Sequence, residues 1–133
     1  MKVKKENGLV GVDIVMAVLA LMIFSSLIFI MIFNNTVENI KLKKETMAII
    51  YITEVFEEIG IQNYSMITKE YVKEKFEKKS EIKDIYDVKV EVENPFSGDS
   101  KKENIMKKIT VTLSYQVNGE IYSVTMKRIK VKE

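Results

Sequence analysis

From Ile14 to Phe33 the chain runs for twenty residues without a charged side chain. Wound as an α-helix at 1.5 Å per residue, such a run is about 30 Å long, the hydrocarbon thickness of a bilayer. One membrane-spanning helix is therefore predicted. A secretory signal would have a shorter apolar region followed by a small-x-small cut site. Ala17 and Ala20 have the wrong spacing for that, and a cut there would leave Leu21 to Phe33 at a new N-terminus. Cysteine is absent, so there is no residue for a lipoprotein anchor to acylate.

Charges around the run suggest its orientation. Lys2, Lys4 and Lys5 precede it, and the positive-inside bias then puts the N-terminus in the cytoplasm and the C-terminal part outside. Lys41, Lys43 and Lys44 beyond the run pull the other way, with Glu38 and Glu45 beside them. Between Leu9 and Phe33 the only charge is Asp13. A carboxylate at the centre of a membrane helix costs about 2.5 to 3.5 kcal/mol, less near the interface, and such an acid normally has a partner. A plain anchor has no use for it.

A basic start from Met1 to Asn7, then Gly8, then an apolar run whose one acid is the fifth residue after that glycine, resembles the N-terminus of a type IV prepilin. The resemblance implies cleavage by a prepilin peptidase after Gly8. Leu9 then becomes the first mature residue, with a methylated amine. It also implies that Asp13 neutralises the amine of a neighbouring subunit during assembly. The family usually has an aromatic where Leu9 stands and glutamate where Asp13 stands. Aspartate keeps the charge with a shorter reach. The implied divisions are a leader over 1–8, a transmembrane or filament-core segment over 9–33, and an extracytoplasmic α+β domain over 34–133. Before assembly the subunit would be a single-pass protein of the cytoplasmic membrane. Afterwards it would belong to a surface or periplasmic filament. Its partners would be other pilin or pseudopilin subunits, the peptidase and an assembly platform protein.

Past the run the period changes. Val37, Ile40, Met47, Ile50, Tyr51, Val55 and Ile59 fall on one stripe of a 3.6-residue helix, with Lys41, Lys44, Glu45, Glu54, Glu57 and Glu58 on the rest. No proline interrupts Leu9 to Ile59, and Gly60 reads as a C-cap. One helix of about fifty residues, roughly 75 Å long, is predicted. The proline that many major pilins carry midway along the apolar half is missing. Thr68 reads as the cap of a second, short helix with Glu70 in its first turn and Tyr71, Val72 and Phe76 on its apolar edge. The charges from Lys73 to Lys79 read as a solvated face.

The C-terminal half alternates with period two. Tyr86, Val88, Val90 and Val92 predict one strand, and Ile109, Val111, Leu113, Tyr115 and Val117 a second. Asn118-Gly119 suits a type I′ turn, which sets Tyr115 opposite Tyr122, Leu113 opposite Val124 and Val111 opposite Met126. Continuing that register places Ile109 against Arg128, so a β-bulge near Lys127 or Arg128 is expected. The expected fold is α+β. A long N-terminal helix packs through its amphipathic second half on an antiparallel sheet of about three strands, too small to be stable alone. The hairpin is similar to that of small minor pilins, especially the minor pseudopilin I of type II secretion.

Catalytic groups are scarce. Without cysteine or histidine the chain has no thiol nucleophile, no imidazole base and none of the commonest zinc ligands, so it is expected not to be an enzyme. Glu93, Asp99, Ser100, Glu103 and Asn104 are oxygen ligands gathered in one loop, but their spacing matches no defined calcium motif. Lys101 and Lys102 interrupt them, and Pro95 with Gly98 reads as a surface turn. No metal or cofactor is expected. Removing Met1 to Gly8 takes the charge balance from 21 against 19 to 18 against 18, and no basic stripe argues for direct nucleic-acid contact. A minor pilin or pseudopilin is the function implied. The alternatives are a subunit of a DNA-uptake pseudopilus and an unprocessed single-span protein with an outer binding domain.

Overall fold

The computed structural model describes residues 3–95 and 105–132, and the side chains of all these except 3–10, 80 and 81. The element order is α1 (Val3–Ile61), a 3-10 turn (Tyr64–Met66), α2 (Lys69–Glu77), α3 (Ser80–Lys83), β1 (Asp87–Glu93), β2 (Met106–Val117) and β3 (Glu120–Val131). The strands form one antiparallel sheet in the order β1-β2-β3. The α+β class follows. The chain divides into two compact units, Met1–Asn39 and Ile40–Glu133.

In the first unit α1 is unbroken, as the absence of proline requires. Its apolar residues lie on every side. In the second unit α1 is one-sided: Ala48, Tyr51, Ile52, Val55, Phe56 and Ile59 are buried, recurring at three and four residues. The expected stripe is thereby corrected. Tyr51, Val55 and Ile59 are on it, whereas Ile40, Met47 and Ile50 are exposed. Met47 to Ile52 is apolar at every position, so periodicity admitted two overlapping faces. Packing against the sheet selects the face centred near Ile52 and Val55.

Helix α2 forms as its sequence demands. Thr68 Oγ1 accepts from the Tyr71 backbone N–H at 3.2 Å, and Val72 and Phe76 are buried. The charged run is less passive than a solvated face, because Lys75 of α2 pairs with Glu58 of α1 at 3.0 Å, and Lys79, between α2 and α3, pairs with Glu54 of α1. Glu58 holds the Lys75 ammonium above the usual lysine range through that hydrogen bond.

Strand β2 is central and alternates strictly, with Ile109, Val111, Leu113, Tyr115 and Val117 buried. Tyr86, expected to open the first strand, lies just before β1 and is buried. Asn118 (φ 52°) and Gly119 (φ 85°) both have positive φ, the requirement of a type I′ turn. The three pairs expected from that turn are present, Tyr115 with Tyr122, Leu113 with Val124 and Val111 with Met126. The expected bulge is not. Register continues without interruption through Ile109 opposite Arg128 to Met106 opposite Val131. Ile129 and Val131 therefore remain on the outer face, exposed, and two cations occupy the end of the inner face.

Candidate functional site

The largest uncovered surface is the apolar run. Every large hydrophobic residue from Val12 to Phe33 is between 45 and 71% exposed, a state that water does not tolerate over such an area. The helix is long and apolar enough to cross a membrane. Two of its hydroxyls bond back to the helix: Ser26 Oγ donates to Ile23 O at 2.8 Å and Thr36 Oγ1 to Ile32 O at 2.9 Å. That suits an apolar surrounding, where a lone hydroxyl would be costly.

Gly8, Leu9 and Asp13 all lie on α1, so the structure sets their spacing along one helix. The side chain of Leu9 lies outside the described residues. Asp13 is exposed and has no ion-pair partner among the described residues. Five residues of rise separate it from Gly8, about 7.5 Å, and from Leu9 the separation is close to one turn. A chain beginning at Leu9 would carry its amine and its free N–H groups at the positive end of the helix dipole, one turn from this carboxylate.

In the second unit, four tyrosines form a row that the sequence pattern did not announce. Ring centroids are 6.2 Å apart for Tyr51–Tyr86, 5.9 Å for Tyr86–Tyr115 and 5.9 Å for Tyr115–Tyr122. They run from α1 across the sheet, with Lys41 Nζ 4.5 Å from the Tyr122 ring centre. Two hydrogen bonds hold helix to sheet at this level: Tyr86 Oη donates to Lys44 O at 2.7 Å, and Lys44 Nζ donates to Gln116 O at 2.9 Å. Burial pushes the Tyr86 phenol up from its ordinary value, and Tyr51 and Tyr115 add to the effect. Tyr115 is raised mainly by burial as well, with Glu45 contributing. Beside the row, Ile40, Met47, Tyr51, Ile85 and Tyr86 with Lys43 and Lys44 line a groove of about 350 Å³.

The end of α1 is served from the sheet. Gly60 is helical, with no positive φ, so it is not the C-cap that its identity suggested. The Arg128 guanidinium lies over it, and a Cβ there would stand 2.6 Å from Nη2 and displace that side chain. Lys130 Nζ donates to Gly60 O at 2.8 Å. Lys107 Nζ donates to Tyr64 O at 2.9 Å and Ile67 O at 2.8 Å, in the turn that follows. No basic residue lies in the last turn of α1, and these cations from neighbouring strands take that place at the negative end of the helix dipole. Burial pulls Lys107 below the usual lysine range. Burial likewise raises the Tyr64 phenol. The regular register keeps Lys130 on the inner face, within reach of the Gly60 carbonyl that needs a donor; a bulge before it would have turned it away.

Among the described residues no cluster of acidic groups could hold a metal ion. Glu93 ends β1, while Asp99, Ser100, Glu103 and Asn104 lie outside the described residues. Comparison of the chain with protein-family models, with curated proteins and with solved structures found no match.

Proposed function

We propose that this chain is a minor pilin or pseudopilin, a structural subunit of a type IV pilus-like or type II secretion-like filament. It would be held in the membrane by its first helix, cut behind Gly8, and assembled through that helix. The observation that carries this function is the pairing of an exposed apolar surface from Val12 to Phe33 with one carboxylate, Asp13, that has no ion-pair partner among the described residues. Lipid alone could cover the hydrophobic side chains. It offers nothing to the acid, whose insertion costs more than a neutral residue would. A cationic N-terminus from a neighbouring subunit would offset that cost, and packing of apolar helices would replace lipid contact in the filament core. The amphipathic half of α1 with its sheet supports a domain carried outside the bilayer, in keeping with the basic N-terminal leader.

The test is expression of the full chain with and without a prepilin peptidase, followed by intact mass and N-terminal sequencing. Loss of the eight residues Met1 to Gly8, exposing Leu9, is expected only with the peptidase. Asp13→Ala should leave cleavage largely intact and impair incorporation into filaments, whereas Asp13→Glu should incorporate. A chain that is never cut would instead be a single-span protein presenting an outer domain. Equal incorporation of Asp13→Ala would remove the pairing role.

A further inference from the structure

Strand β3 is twelve residues long, about 40 Å, and carries neither proline nor bulge. Among the described residues it pairs with β2 alone, so its other edge presents a row of backbone N–H and C=O groups. No residue of β3 is fully buried, and Ile121, Ile129 and Val131 are exposed at 77, 60 and 49%. Its second half is strongly cationic. Lys127, Arg128, Lys130 and Lys132 fall within six residues that contain no acid, and the one acid of the strand, Glu120, is at the far end. Lys130 is engaged with Gly60, but the side chains of Lys127, Arg128 and Lys132 have no hydrogen bond or ion pair among the described residues. Arg128 is the only arginine in a chain with 21 basic residues, and its planar fork suits bidentate capture of a carboxylate.

We propose that the free edge of β3 is a docking site for an extended acidic segment of a partner protein, which adds as a fourth strand. Backbone ladder bonds supply the affinity, alternate apolar residues of the segment meet Ile129 and Val131 on the outer face, its carboxylates meet Arg128 and Lys132 on the opposite face, and Lys127 beside Ile129 adds to the positive field that draws the acidic segment in. A nucleic acid could neutralise the same cations. It would leave the edge carbonyls and the exposed isoleucines unmatched, so an acidic polypeptide fits more of the surface. The site is independent of how the apolar helix is used.

The test uses the full chain in detergent micelles and a fluorescent peptide of alternating Glu and Val, with anisotropy as readout. Saturable binding that weakens with salt is expected. The double variant Lys127→Glu/Lys132→Glu, which alters two exposed side chains, should weaken it about tenfold with the unfolding transition unchanged. The same peptide N-methylated along one edge keeps its charge but cannot form the ladder, and should lose at least about tenfold. Three results would overturn the proposal: no saturable binding, equal binding of the N-methylated or a Lys-Val peptide, or equal competition by a single-stranded oligonucleotide.

Discussion

Residues 11–33 and residues 48–59 share helix α1 yet solve opposite problems. In the first stretch hydrophobic side chains point to all sides and stay exposed; in the second, six residues at three- and four-residue spacing are buried and the remainder face outward. Helix formation is therefore not what distinguishes them. Both lack proline and satisfy their backbone internally. What differs is the angular distribution of apolar groups, which determines whether the cover comes from the same chain or from outside it.

The sharpest way to break this comparison is to remove the same side chain from each stretch. Ile52→Ala should destabilise the outer domain by about 2 to 5 kcal/mol, because Ile52 is fully buried, while Ile23→Ala should leave domain unfolding unchanged. Urea unfolding in micelles, followed by tyrosine fluorescence in this tryptophan-free chain, checks both. Equal effects would mean that the first stretch also belongs to the domain core. Next in size are the devices that end and cap helices in the second unit. Thr68→Ala should cost about 1 kcal/mol through loss of the α2 cap. Lys130→Met should cost about 1 kcal/mol by leaving Gly60 O without its donor.

A smaller effect should appear in alkali. Tyr64, Tyr86 and Tyr115 are raised above their ordinary 10.0 by burial, so above that pH the unfolded chain releases phenolic protons that the folded chain retains. Stability from these neutral tyrosines is present below pH 10.0 and is lost as pH rises through the folded values. Lys107 acts in the opposite direction. Its folded value lies below 10.5, so its share of stability grows as pH approaches 10.5. Lys75, held up by Glu58, acts in the same direction as the three tyrosines, and the expected outcome is a urea midpoint that declines above pH 10.0 and that Tyr86→Phe flattens.

Much of this architecture was legible because period and turn chemistry are local. The Thr68 cap, the Asn118-Gly119 turn and the alternation of β2 each depend on residues within a few positions. Three features were not local. The burial of Ala48, Ile52 and Phe56 depended on which side of an all-apolar turn the sheet would choose. Gly60 looked like a helix stop, yet it is helical and the guanidinium of Arg128, far along the chain, lies against it. The bulge was expected because an arginine opposite Ile109 looked misplaced. In isolation the strand gives no sign that α1 ends where Arg128 and Lys130 reach it. The N-terminal constellation is the reverse case. Gly8, Leu9 and Asp13 are conspicuous in sequence, and the helix spaces them but the described residues offer no partner for the acid.

The most direct test of the proposed assembly uses the chain's lack of cysteine, which makes any introduced thiol unique. Leu21→Cys and Ile52→Cys should be placed separately in the full chain, processed by the peptidase, and subjected to oxidative cross-linking in assembled material. Dimers are expected from position 21, where the proposed assembly would cover α1 with other copies, and none from position 52, which is buried within its own domain. Absence of cross-links at position 21 in assembled, processed protein, or their formation at position 52, would contradict the account.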